Sequence, residues 1–321
     1  MPQPTFRSFL GIGLETTAGE AVDATAFIPV KTMSPSDKLT LLDDQGMRGS
    51  MVQTYDKIAG PIWSEYGFDG DVFPDTAGWM LAGILGDIAT TGAAAPYTHT
   101  MSLLNSGNGQ PPSYTLSDFY TIATRQFAGL MFSEVGIKFS GDGMLTYSAK
   151  ATALASTTAD APVPSYTGVP PLAGWVGQIS IGGSSAAFVT DGECTLKRDI
   201  TVVHTSDGTQ APYALWAGPL SVSGKLTLVM EDDTHYLNYL NNSKPPLDIT
   251  YSQGAGAAAV AVGLHMSKAA YTAAEIGRGK DYIELSVDYE ALANTTDAGT
   301  SGGYSPIKAT LTNAVAASTY T

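Results

Sequence analysis

Between Gly218 and Met230 the chain reads GPLSVSGKLTLVM, and Leu220, Val222, Leu226, Leu228 and Met230 fall on alternate positions against Ser221, Ser223, Lys225 and Thr227. A period of two sends successive side chains to opposite faces, so this segment reads as a long strand with one buried face. The pattern recurs. Ile62, Tyr66, Phe68 and Val72 alternate with Glu65, Asp69 and Asp71. Met131, Val135, Ile137 and Phe139 oppose Glu134 and Lys138, in a run (129–155) that reads as a hairpin across Gly141-Asp142-Gly143. Ile283, Leu285, Val287 and Tyr289 oppose Glu284, Asp288 and Glu290. Only 14% of residues are charged, beside 35 Gly and 18 Pro. That balance favours sheets joined by turns over helices, whose exposed faces carry more Glu, Lys and Arg.

One of these strands has a counterpart. Ala59-Gly60-Pro61 and Asp75-Thr76 recur as Ala217-Gly218-Pro219 and Asp233-Thr234, at a common shift of 158 residues that also relates Lys150-Ala151-Thr152 to Lys308-Ala309-Thr310. Two distant segments agreeing on one shift point to an internal duplication. In each copy apolar residues at helical spacing follow the strand: Met80, Leu81, Ile84 and Leu85, then Tyr236, Leu237 and Leu240. Asp75 and Asp233 are the expected N-caps, and Gly86 and Asn241-Asn242 the expected stops. The unit is therefore a long strand leading into one short helix. This divides the chain into a first half (1–158), a Pro/Ala/Thr-rich joint (159–172) and a second half (173–321), which stand as separate units or interlock as one. Residues 88–113 read as a long polar loop.

The net charge of −14 disfavours binding nucleic acid by counterion release. The one cysteine, Cys194, rules out an intrachain disulfide framework. The first residues, MPQPTFRSFLGIG, lack the apolar core of a signal peptide. The densest apolar run, WMLAGIL at 79–85, falls short of the roughly 20 residues a membrane-spanning helix needs. His99, His204, His235 and His265 are scattered and have no metal-site spacing. GIGLETTAG at 11–19 holds two of the three glycines of a dinucleotide-binding loop and reads as a turn. GGSSAA at 182–187 is no nucleophile elbow, and the pairs Asp43-Asp44 and Asp232-Asp233 send adjacent carboxylates in different directions. The sequence predicts no enzyme, no cofactor and no metal.

In order along nearly the whole chain, GLETTAG, MRGS, AGPIWSEYGFDGDVFPDTAGWMLAGILG, YTHTMSLLN, GLMFSEVGIKFSGDGMLTYSAKATA, GWVGQISIGG, ECTLKRDI and AGPLSVSGKLTLVMEDDT resemble the tail tube (major tail) proteins of tailed bacteriophages. The resemblance implies a mainly β fold of sandwich or barrel type with one flanking helix per half. It also implies rings whose strands join into one β-barrel between subunits, stacked into a tube through which DNA is ejected. The implied partners are further copies of the chain, tape-measure, terminator and distal tail proteins, and DNA in transient passage. The implied location is the virion tail, assembled in the host bacterial cytoplasm without a membrane.

If each half is one tube unit, three chains build a pseudo-sixfold ring; if the halves weave into one enlarged unit, the ring is a hexamer. Glu134, Lys138, Glu284, Asp288 and Glu290 are the candidate lumen-facing residues. Asn105, Asn108, Gln110 and Pro111 are candidates for contact with a neighbouring subunit or ring. The rival readings are the tube of a contractile injection or secretion system and a β-sandwich binding module.

Overall fold

The computed structural model describes residues 4–320. The elements run β1 (Phe9–Leu14), β2 (Ala26–Ile28), β3 (Thr32–Asp44), β4 (Asp56–Asp71), α1 (Ala77–Leu85), β5 (Gly86–Thr91), β6 (Tyr97–Leu103), β7 (Tyr114–Phe119), β8 (Thr124–Ser140), β9 (Thr146–Leu154) and β10 (Thr157–Ala159). There follow β11 (Gly177–Ile181), β12 (Ser184–Ser185), β13 (Val189–Val203), β14 (Ala214–Val229), α2 (Thr234–Leu240), β15 (Leu247–Gln253), β16 (Val260–Met266), β17 (Ala269–Gly277), β18 (Glu284–Ala291) and β19 (Lys308–Asn313). The fold is mainly β with two short helices, as the alternation predicts.

The strands form two sheets, and among the described residues neither closes into a barrel. In the larger sheet an antiparallel series runs β3-β4-β9-β8-β13-β14-β18-β17. The N-terminal part of β8 continues past this series to carry β7, β1 and β2 on one side and β10 on the other. The smaller sheet has the order β12-β11-β15-β16-β19-β6-β5. Each sheet draws on both sides of the 159–172 joint, because β8 pairs with β13 and β6 pairs with β19.

The eight-strand series contains the same arrangement twice. In β3-β4-β9-β8 a long hairpin is followed by a second hairpin whose later strand lies inside; β13-β14-β18-β17 repeats this order. β4 and β14 occupy residues related by the shift read from the sequence. The two long hairpins carry a bulge at the same place, between Leu39 and Leu41 and between Arg198 and Ile200.

The core lies between the two sheets. Val135, Ile137, Leu196, Val222, Leu226 and Val287 from the larger sheet pack in one cluster with Ile249, Tyr251 and Leu264 from the smaller. Phe139 and Tyr251 bridge the layers, with ring centroids 5.8 Å apart. Each such buried side chain contributes about 1.5–3 kcal/mol. All nine residues of α1 are buried, and its wall is so close that a Cβ on Gly83 would meet Phe132 at 2.4 Å. α2 is different. None of its residues is buried, and Leu237 and Leu240 are 40% and 58% exposed.

Several local expectations are corrected. Residues 88–113 are not one loop: β5 and β6 pair antiparallel, and only 104–113 connects to β7. β6, YTHTMSL, sets Tyr97, Met101 and Leu103 against Thr98, Thr100 and Ser102, and the polar His99 in the core-facing row breaks what would otherwise be the apolar alternation of a strand. Met131 does not share a face with Val135. A bulge between Phe132 and Glu134 inverts the alternation, so Phe132 enters the main core while Met131 joins a separate cluster with Leu215 and Ala217.

The first helix is capped at Thr76, not Asp75, and no side chain bonds its free amides. The Asp75 carboxylate accepts from Thr167 Oγ1 instead. At α2 the N-cap position is Asp233 as expected, but the neighbouring Asp232 accepts the Thr234 N–H at 2.8 Å. Both helices stop where expected: Gly86 takes a left-handed φ of 87° and Asn242 one of 51°.

Candidate functional site

The five predicted lumen residues lie on one surface. Strand register sets Lys138 opposite Glu193, Glu193 opposite Lys225, and Lys225 opposite Asp288, a row of alternating charge across β8, β13, β14 and β18. A parallel row sets Lys150 opposite Glu134 and Glu134 opposite Lys197. Glu290 and Glu284 have the same parity on β18 as Asp288, so they join this face. The core-facing positions between them, Leu285, Val287 and Tyr289, are buried on the other side. This polar face is thus the surface of the larger sheet turned away from the smaller one.

Lysines tie the face together. Lys138 Nζ is 2.8 Å from Glu193 Oε2, Lys150 Nζ 2.8 Å from Glu134 Oε1, and Lys38 Nζ 3.0 Å from Glu65 Oε2. All are partly exposed, so each pair contributes about 0–1 kcal/mol and mainly fixes side-chain positions. Asp69, Asp191, Glu275, Asp288 and Glu290 add carboxylates without a lysine bridge among the described residues. The face is corrugated with both signs and acidic on balance. Such a surface repels phosphate and offers no continuous basic track.

All four loop residues are engaged within the chain. Asn105 Nδ2 donates to the carbonyls of Leu103, Gly302 and Tyr304 at 2.9–3.0 Å. Gln110 pairs with β14 as a strand would: its Nε2 donates to Ala217 O at 3.2 Å, and its Oε1 accepts from Ala217 N–H at 2.7 Å. Pro111 is buried. Asn108 is exposed and caps the turn by accepting the Gln110 N–H at 3.1 Å. The segment therefore fastens the first half to the second, a role that spacing in the sequence did not signal.

Two buried polar centres escaped the sequence reading. Arg198 projects from the core side of β13 and is 4% exposed. Its Nη1 donates to Ile84 O at the end of α1 at 3.0 Å, and its Nε to Gly218 O at 2.9 Å. Burial holds its pKa below the usual arginine value. Glu15 is enclosed by donors: Ser113 Oγ and Thr115 Oγ1, each at 2.7 Å, and the N–H groups of Gly129 at 2.7 Å and Gly19 at 2.8 Å. The TLKRD and GLETT contexts look like ordinary surface.

One cluster resembles a catalytic arrangement. His265 Nδ1 bonds the Asp248 carboxylate, and its Nε2 lies 3.1 Å from Ser267 Oγ. The Ser267 hydroxyl, however, donates to Asp297 Oδ1 at 2.9 Å, and its backbone N–H donates to Oδ2 at 2.8 Å. Its proton is committed to Asp297, so the cluster ties β16 to the 294–297 turn instead of presenting a nucleophile. Among the described residues no group of three His, Cys, Asp or Glu side chains has metal-binding geometry, and no helix is long and apolar enough to cross a membrane.

The family model for phage tail tube protein matches residues 5–291, and the chain belongs to that family. No curated protein matches the chain.

Proposed function

From membership of the tail tube family, a structural family of the virion tail, we propose that copies of this chain join edge to edge into rings that stack as the conduit for DNA ejection. The observation that carries this reading is the open eight-strand series, unpaired at β3 and at β17 among the described residues, with a charged face between them. Long free edges are a liability in a lone chain, and closing them between copies removes it. Glu134, Lys138, Glu284, Asp288 and Glu290 then line the lumen, where an acidic wall lets DNA slide instead of adhering. The smaller sheet and both helices lie outside.

The repeated four-strand order supports an internal duplication and a ring of three chains carrying six units, in preference to six chains. Three further features of the chain favour it: the coincident β4 and β14, the coincident bulges and the β8·β13 junction between the runs. Assembly in the host cytoplasm and partnership with tape-measure, terminator and distal tail proteins follow from the same reading. A contractile injection tube is the second reading, to which the fold is indifferent.

Electron microscopy of the purified protein tests this. Hollow tubes with threefold rings are expected. A strict sixfold ring of six chains would overturn the three-chain count, and a chain that remains monomeric at high concentration would overturn the function.

A further inference from the structure

The junction between the two four-strand runs is visible inside one chain, at β8·β13, and it specifies what the two free edges need. β17 occupies the position of β8: each is the last strand of its run and the hairpin partner of the strand beside the long hairpin. β3 occupies the position of β13, with its bulge at the same place. The free edge at β17 thus lacks a β13-like strand, and the free edge at β3 lacks a β8-like one.

We infer that β17 of one chain pairs antiparallel with β3 of a second copy in the register of the β8·β13 junction, and that Leu39 of the incoming strand packs on Leu240 of α2. The register follows by transfer. Glu134 lies opposite Lys150 as Ala273 lies opposite Asp288, and Lys197 lies opposite Ser221 as Lys38 lies opposite Trp63. The internal pair Glu134–Lys197 therefore becomes Ala273 opposite Lys38 of the second copy. Two residues further along β17, Glu275 lies diagonal to that lysine and on its face, within reach of an ion pair.

The exposed leucines are the independent observation. At the internal junction Arg198 reaches from β13 to the end of α1 and bonds Ile84 O. The residue in its place on β3 is Leu39, on the strand side of the matching bulge, and it is 48% exposed. The element in the place of α1 is α2, whose last residue, Leu240, is exposed as well. A polar contact at one junction is replaced by an apolar one at the other, and each leucine lacks cover until the second copy supplies it. A mismatched set, such as an exposed arginine facing an exposed leucine, would have pointed elsewhere.

This inference rests on the tube reading, and the test separates the two. In the double variant Ala273→Cys with Lys38→Cys, mild oxidation of assembled protein should give a covalent ladder ending at three chains. Moving one cysteine to the opposite face, Ala274→Cys with Lys38→Cys, should abolish it. Cys194 is buried and stays out of the reaction. Leu240→Asp should abolish assembly while leaving the monomer's circular dichroism and melting temperature unchanged, because that side chain is exposed. Tubes without the Ala273–Lys38 link, or normal tubes from Leu240→Asp, would overturn the edge assignment and leave the tube standing. A wild-type chain that never assembles would overturn both.

Discussion

The Arg198 guanidinium, carried on β13 in the second half, donates through Nη1 to the carbonyl oxygen of Ile84 in the first, 3.0 Å away. A helix end leaves its last carbonyls without intrahelical partners. Here a buried cation from across the joint supplies one and bonds Gly218 O with its Nε. Arg198→Leu leaves the buried Ile84 carbonyl and the half-buried Gly218 carbonyl without this donor, a loss of about 2–4 kcal/mol after partial repacking. Urea denaturation followed by tryptophan fluorescence should show the midpoint falling at unchanged m-value. A shift under about 0.5 kcal/mol would mean water replaces the arginine.

Glu15 offers a second check on polar packing. Its carboxylate takes four donors from three separate segments, so Glu15→Ala orphans Ser113, Thr115 and two backbone amides together. The expected cost is about 3 kcal/mol or more. Glu15→Gln keeps the shape but brings two donors into a shell made of donors, and should recover little. Thermal unfolding of the three proteins ranks them; near-full recovery by Gln would show that the carboxylate charge is not needed.

The contrast between these residues and the strands shows what a sequence can disclose. Leu220 to Met230 announces a strand because every second side chain meets the same core, and the polar face follows from the same parity. Arg198 has that parity too, on the core side of β13, but its partners are carbonyls on other elements, Gly218 on the neighbouring strand and Ile84 at the end of α1, and they leave no local trace. The Phe132/Glu134 bulge is equally silent: one extra residue turns Met131 to the other face while the written pattern looks unbroken. β6 stayed hidden because His99 interrupts its core-facing row of Tyr97, Met101 and Leu103, and Asp75 because its carboxylate turns away from the helix to Thr167. Periodicity discloses burial; it does not disclose which distant group satisfies a buried polar one.

Acid should weaken the fold through His99. The ring is fully buried, with Nδ1 2.8 Å from Thr90 Oγ1 and Nε2 3.1 Å from Asn313 Oδ1. Burial, the largest influence, lowers its pKa from 6.5, while the Asn313 bond acts in the opposite sense. A lowered folded-state value means the unfolded chain binds the proton first. Stability is therefore intact above pH 6.5 and falls as pH drops below it toward the folded-state pKa. His235, lowered by burial as well, acts in the same direction. His99→Gln should flatten the melting temperature between pH 7 and 5 relative to wild type; parallel curves would place the titration elsewhere.

The charged rows make the last prediction, which concerns function and not folding. If the polar face lines the lumen, its carboxylates keep DNA from adhering. Asp288 has no bridging lysine, and Glu290 lies two residues along the same strand face. Asp288→Lys with Glu290→Lys changes the face by four charges per chain, and a ring repeats that change in every copy. Folding should survive, since both sites are exposed and exposed charges contribute about 1 kcal/mol or less. Assembled tubes of this variant should bind duplex DNA in a co-sedimentation assay at low ionic strength, with affinity falling steeply as salt rises, while wild-type tubes bind none. Asp43→Lys with Asp44→Lys, the same four-charge change at the far end of the β3·β4 hairpin, where these residues pair with Lys57 and Arg48, serves as the control for added surface charge. DNA binding by the control at equal strength would show that any basic patch suffices, and would remove the reason to place this face in the lumen.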